Sequence, residues 1–339
     1  MDAFREHWRD HFEPATAGPI VLAVSGGIDS MALMRLLVRE GIAGEGVDVV
    51  AAHYDHGTRG DESEEDGRFV AAVAERWGAA CRRGSGDAPA RAARTGRSPQ
   101  AAARELRYGF LRAVSGEIGA SAIVTAHHRD DRVETVLLRL VHGTSVDGLG
   151  ALRPIEERDG ALLLRPLLPF SREAIAGWAE ATGVPYREDP SNRSPRYPRT
   201  RVREEVLPLL RELNPRVDAA LVRLAARAAS DAAYLGEVAG EVLDEATERR
   251  EERRWRLRAE ALIDLPDPVL SRVVLAGWAW GAPPHARSPG AEWVENALEF
   301  LRGGRGGTVE CPGGGELRRA GPHVEFHRSP DTDREARHA

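Results

Sequence analysis

Two short stretches bring together residue types that could do chemistry. The first is Ser25-Gly26-Gly27-Ile28-Asp29-Ser30, set between a largely β-branched apolar run (Ile20, Val21, Leu22, Val24) and an apolar pattern at helical spacing. The order reads strand, tight loop, helix. Two glycines let the backbone turn sharply and come close to a ligand, so successive N–H groups can converge at the helix start. The positive end of the helix dipole lies there too, and the loop therefore suits phosphate. The second stretch is His127-His128-Arg129-Asp130-Asp131-Arg132-Val133-Glu134-Thr135, which follows the apolar run Ser121 to Ala126. On a helix Asp131 and Glu134 are three apart and Asp130 and Glu134 four apart, so their carboxylates share a face. They could hold Mg²⁺ beside phosphates, meet a substrate ammonium, or simply suit the helix dipole.

Two familiar phosphate loops are excluded. A Walker loop needs Gly-Lys-Ser/Thr, and the chain has no lysine, all 47 of its Lys+Arg being arginine. The dinucleotide fingerprint Gly-x-Gly-x-x-Gly is absent from this turn. Without lysine, neither a lysyl-adenylate nor a Schiff base can form on the protein.

The elements that must position these residues alternate. Strands are expected at Ile20–Val24, Val47–His53, Ala79–Arg83 and Ser121–Ala126. Helices are expected from Ser30 to Glu40, Glu64 to Trp77, Ser98-Pro99 to Ile118 (a capping hydroxyl, then proline in the first turn), and Arg129 to Val141. This β-α order calls for a doubly wound parallel sheet with helices on both faces, whose ligands sit beyond the carboxyl ends of the strands. His53-Tyr54-Asp55-His56-Gly57-Thr58-Arg59 stands at one such end and the His127 stretch at another.

At 339 residues two domains are expected. The break is placed at Asn214-Pro215, after a helix from Arg199 to Leu213 kinked at Pro208, giving a catalytic domain over 1–214. Residues 215–328 then form a smaller, mainly helical domain that opens on a long helix (216 to about 250) and ends in a short β-meander over Gly303–Phe326; 329–339 read as a disordered tail. Glu248–Arg254 reads as a solvated run of mixed charge, and Trp255, Trp278, Trp280 and Trp293 as core. Cys81 and Cys311 form no Cys-x-x-Cys and read as small buried hydrophobes. A charged N-terminus and the lack of a long apolar run point to a cytoplasmic protein without a membrane span. The net charge of −6 argues against general nucleic-acid binding, but leaves room for a local basic face. Two arginine clusters qualify: Arg193, Arg196, Arg199, Arg201 and Arg203 around Tyr197, and Arg82, Arg83, Arg91, Arg94 and Arg97. Either could give phosphate contacts to RNA.

The loop Ser25–Ser30 resembles the SGGxDS pyrophosphate loop of the N-type ATP pyrophosphatases, which split ATP between the α and β phosphates. Together with HHxDDxxET, the His53-to-Arg59 run, Ala103-Arg104-Glu105-Leu106-Arg107-Tyr108, Arg165-Pro166-Leu167-Leu168, Asp189-Pro190-Ser191-Asn192 and Tyr197–Pro208, it resembles the tRNA(Ile)-lysidine synthase family. The resemblance is strong over residues 18 to 215 and weak beyond. The chain departs from that pattern at Thr58, His142, Ser145 and Thr200.

The resemblance implies an adenine nucleotide alpha hydrolase-like fold. It also implies a ligase that adenylates the wobble cytidine of a tRNA(Ile) with a CAU anticodon, then joins L-lysine to it, using ATP and Mg²⁺. On this reading Ser25, Gly26, Gly27, Ile28, Asp29, Ser30 and His53 hold ATP or pyrophosphate, and Asp29, Asp131 and Glu134 are catalytic. Asp131 and Glu134, with Arg104 and Arg107, contact lysine or phosphates. His56, His127 and His128 orient base or phosphate, Asp29 and Asp130 are offered to the metal, and the Arg193–Arg203 cluster meets tRNA. A homodimer is left open. The rivals are a tRNA thiolase of the same superfamily, a metal-dependent nucleotide phosphohydrolase built on His53, Asp55, His127, His128, Asp130 and Asp131, and a non-catalytic nucleotide sensor.

Overall fold

The structure is a computed structural model and describes residues 1–57, 61–150, 152–158, 160–187, 198–283, 286, 288–304 and 306–328. By compactness the chain divides into Met1–Ala229 and Ser230–Ala339. The division falls inside the helix Val217–Ala246, whereas the break expected at Asn214 marks the end of the preceding helix, Leu207–Leu213.

The first unit is built on six strands: β1 Ile20–Ala23, β2 Val49–Asp55, β3 Cys81–Ser85, β4 Ala122–Val124, β5 Ile155–Arg158 and β6 Ala161–Leu164, in the order β3-β2-β1-β4-β6-β5. β1 lies between β2 and β4, both parallel to it, with Val21 opposite Val50 and Ile123. Alternation along β1 decides the two cores. Ile20, Leu22 and Val24 face Met31, Leu33, Val70 and Ile175 on one side, while Val21, Val50 and Ile123 face Tyr108, Leu111 and Val114 on the other. The sheet is parallel as expected except at one edge. β5 runs antiparallel to β6, and two intervening residues, Asp159-Gly160, leave no room for the crossover a parallel pair needs.

Two expected helices carry a wider turn. The one after the glycine loop is α-helical over Ile28–Met34 and π-helical over Arg35–Arg39, closed by Glu40 N–H donating to Arg35 O at 3.0 Å. Arg199–Leu213 is likewise divided into Pro198–Arg201, a π-turn Val202–Val206 and Leu207–Leu213. Pro208 sits in the first turn of the last piece, where its missing N–H is least costly. The helix Pro99–Ile118 starts as expected, with Ser98 Oγ accepting from Ala101 N–H at 3.2 Å.

The second unit carries a five-stranded antiparallel sheet: β7 Thr247–Arg250, β8 Arg254–Arg258, β9 Gly307–Glu310, β10 Glu316–Ala320 and β11 His323–His327, ordered β7-β8-β11-β10-β9. The expected meander is its β9-β10-β11 half. The charged run Glu248–Arg254, read as a solvated face, is mostly exposed and also supplies most of β7, the turn and the start of β8. Trp255, Leu257, Leu317, Val324 and Phe326 line the inner face with helices Asp267–Gly281 and Ala291–Arg302. The indole N–H groups of Trp278 and Trp293 donate to Pro312 O and Glu310 O, both at 2.8 Å. Among the described residues no helix is long and apolar enough to cross a membrane.

Gly277 sets the fit of that inner face, since a Cβ there would overlap the Phe326 ring. Gly277→Ala should lower the stability of this unit by about 1–3 kcal/mol, seen as a lower denaturant midpoint in tryptophan fluorescence.

Candidate functional site

β1 ends at Ala23, and the chain then turns through Ser25 to Gly27 into the helix that begins at Ile28. Gly26 has φ +93°, a left-handed conformation that side chains rarely adopt. Ser30 holds the turn together: its Oγ accepts from Ser25 N–H (3.2 Å) and donates to Gly27 O (2.9 Å). The first intrahelical bond runs from Met31 N–H to Gly27 O, so the N–H groups of Ile28, Asp29 and Ser30 precede it and open at the helix start. Asp29 projects from the same turn. Its Oδ1 is buried and has no partner among the described residues, and burial, partly offset by His128 and Arg172, raises its pKa.

The turn from β4 into helix Arg129–His142 lies alongside. His128 caps that helix, its Nδ1 accepting from Asp131 N–H (3.4 Å) while Asp131 Oδ2 accepts from His128 N–H (2.9 Å). In the neutral ring this leaves the proton on Nε2, which lies 3.5 Å from Asp131 Oδ2 and 3.8 Å from Asp29 Oδ2. Glu134 is 1% exposed and accepts from Arg199 Nε and Arg203 Nε, each at 2.6 Å; Arg199 also donates to Asp131 Oδ1 at 2.9 Å. Such charge-assisted bonds offset part of the cost of burying a carboxylate. Asp130 instead accepts from Arg172 N–H at 2.9 Å, tying the start of helix Arg172–Ala181 to the start of Arg129–His142.

A cleft of about 1090 Å³ opens over the carboxyl ends of these strands, lined by Ser25, Asp29, Ser30, His53, His56, Arg107, His127, Asp131, Arg172, Arg187 and Arg203 among others. Three histidines reach it in neutral form. His53 donates from Nδ1 to Val24 O (2.9 Å), and burial depresses its pKa. Burial, then Arg107, push His56 down to about 4. His127, bonded through Nδ1 to Thr125 Oγ1 at 2.8 Å, is driven well below its usual range by burial and by Arg165, Arg104, Arg107 and Arg199. Arg104 and Arg107 both stack on Tyr108, at 4.7 and 5.6 Å from its ring.

The structure thus gathers Ser25–Ser30, His53, His56, Arg107, His127, His128 and Asp131 around one space. Asp29 and Asp130, offered to a metal, lie against opposite nitrogens of His128, and Asp130 Oδ2 accepts from a backbone amide. Among the described residues no group of three or more His, Cys, Asp or Glu is arranged around a metal. Two arginines read as RNA contacts, Arg199 and Arg203, turn inward onto Asp131 and Glu134, while Arg201 is exposed and paired with Glu205. Arg193 and Arg196, like Thr58 and the 329–339 tail, lie outside the described residues. In the other cluster Arg91 and Arg97 converge on Glu105, each at 2.6 Å. Of the departures from the family pattern, Ser145 caps a short helix and Thr200 is buried. Arg172, Asp66 and Arg187 were missed as site residues because their partners are remote in sequence; Arg165, 1% exposed and bonded to Glu156, was noted only as part of the family pattern.

A parallel-dominated sheet with a glycine turn opening a helix at the carboxyl end of β1 defines an anion-binding α/β domain. The chain belongs to the PP-loop domain family, which matches residues 2–210. It is 31% identical over 317 residues to the tRNA(Ile)-lysidine synthase of Bacillus subtilis (strain 168), covering 93% of this chain and 66% of that protein. To the protein of the same name from Thermus thermophilus it is 43% identical over 235 residues, 69% of this chain and 43% of that one. The chain therefore spans just under two thirds of the length of the first and less than half of the second. Among solved structures, the U34-tRNA thiolase NcsA from Methanococcus maripaludis with its 4Fe-4S cluster superimposes with a TM-score of 0.55 at 19% identity, over 68% of this chain and 78% of that one. That likeness is one of fold.

The three depressed histidines tie stability to pH. The unfolded chain takes up protons near pH 6.5 that the native state refuses until about 4 at His56, so unfolding free energy should fall as pH drops through that window. His56→Gln should flatten the slope, measured by urea unfolding at a series of pH values.

Proposed function

We propose that the chain is a cytoplasmic tRNA-modifying ligase, joining L-lysine to the wobble cytidine of a tRNA(Ile) with a CAU anticodon as ATP is split to AMP and pyrophosphate. The observation that carries this reading is the Ser25–Ser30 turn, whose helix-start amides open beside a buried, unpartnered Asp29 oxygen. The names of the relatives supply the substrate class.

The carbonyl oxygen of cytosine is a poor leaving group at neutral pH. Transfer of AMP to it converts it into one, and the departing pyrophosphate is received by the amides of Gly27 to Ser30 and the helix dipole. The ε-amine of lysine then attacks the activated ring carbon, loses a proton, and AMP leaves. Asp29 fits a cation, because its buried Oδ1 has no partner among the described residues; Mg²⁺ held there would offset phosphate charge. Asp131 and Glu134 receive the ammonium of lysine in exchange for Arg199, which occupies both. Arg107 and Arg104 meet its carboxylate or a phosphate. His56 and His127, held neutral, act as hydrogen-bond partners of base or phosphate rather than as charges. Most of the gain is positioning. A sulfur-transfer reading is less favoured, as burial raises the pKa of both thiols, that of Cys311 to about 11, so neither is primed as a thiolate.

Incubated with ATP and a CAU-anticodon transcript, the protein should incorporate labelled lysine only when all three are present. Asp29→Ala should slow this by about 100-fold or more while leaving the thermal midpoint in place. Nucleotide breakdown at the same rate without RNA or lysine would sink the proposal.

A further inference from the structure

The segment Val184–Arg187 passes beside the glycine turn, and Arg187 N–H donates to Gly26 O at 3.0 Å. In a trans peptide the C=O and the following N–H point in opposite directions. A bond that draws Gly26 O toward Arg187 therefore turns Gly27 N–H the other way, to where among the described residues it meets only Ser25 Oγ, at a long 3.3 Å. That contact is weak enough to be exchanged for an anion. Two adjacent glycines would otherwise sample many orientations of this plane.

The side chain of Arg187 explains why its backbone stays in place. Nε lies 2.5 Å from Asp66 Oδ1 and Nη2 3.2 Å from Glu65 Oε2, both on the helix Asp61–Trp77. Asp66 is 7% exposed, so this end of the pair is fixed. The same helix supplies Val70, whose Cγ2 would sit 3.5 Å from a Cβ at Gly26. One helix thus braces the turn directly and, through Arg187, by a hydrogen bond.

We infer that Arg187 is a positioning residue for the phosphate loop: anchored by Asp66 and Glu65, it fixes the Gly26 carbonyl and so aims the Gly27 N–H at the phosphate. This rests on the reading of Ser25–Ser30 as a pyrophosphate site. Arg187 also lines the cleft, so the alternative is a guanidinium that touches phosphate itself.

The two differ in what Asp66 does. Calorimetric titration of the full chain with inorganic pyrophosphate and Mg²⁺ separates them. Arg187→Ala and Asp66→Asn should each weaken binding by about tenfold, the double variant no further, and Arg187→Lys, which keeps a cation for Asp66, should restore most of it. Thermal midpoints followed in parallel identify any variant that fails to fold, and the milder Arg187→Lys and Asp66→Asn pair then carries the comparison. If Asp66→Asn leaves affinity unchanged or raises it while Arg187→Ala and Arg187→Lys both lower it, Arg187 is a direct ligand and the inference fails. It fails equally if none of these variants matters while Ser30→Ala weakens binding. If Ser30→Ala also has no effect, the pyrophosphate site itself is wrong.

Discussion

Everything at this site depends on a few backbone amides being held in one direction without a side-chain cation among them. A charged residue can follow a moving anion; a peptide plane cannot, so it must be set by its surroundings. Here the surroundings are short-range and specific. Ser30 bridges both ends of the turn, the helix from Ile28 supplies the dipole, and β1 is locked between two parallel neighbours so that its carboxyl end has nowhere to drift. In a chain with no lysine, anion binding falls to this nest and to arginine.

The nest is ringed by charges of both signs. Carboxylates lie on the first turns of the helices beginning at Ile28 and Arg129, and guanidiniums collect near Tyr108 and His127. Between them the histidines are stripped of charge by burial and by the arginines, so the cleft has polar groups that can bond to a base without repelling the guanidiniums nearby. Glu134 shows the cost of the arrangement. A carboxylate with almost no exposure is tolerable only because two arginines bond to it, and removing both would leave it buried without a charged partner. The same pairing makes Arg199 a competitor for any cation that Asp131 and Glu134 are meant to bind.

The turn after β1 and the helix start at Arg129 were legible in the sequence, because both depend on residues within six positions of one another; that His128 caps this helix was not read. Strand and helix alternation was legible for the same reason. What escaped was set by contacts between distant segments. That Asp130 accepts from the backbone of Arg172, 42 residues on, could not be read from its own neighbourhood. Arg199 and Arg203 have the composition of an RNA-binding face, and only tertiary packing turns them toward Glu134, 65 and 69 residues back. β7 and β8 were hidden by charge, since a strand with one solvated face and a short inner one carries too little apolar signal to outweigh the unbroken charged run Glu248–Arg254.

The central claim is that the nest receives a diphosphate, which requires the nucleotide to break between its α and β phosphorus atoms. Chromatography of the products from α-labelled ATP, with RNA and lysine present, tests it directly. The account predicts label in AMP, matched by an equal amount of pyrophosphate. Label in ADP, with orthophosphate released, would contradict it.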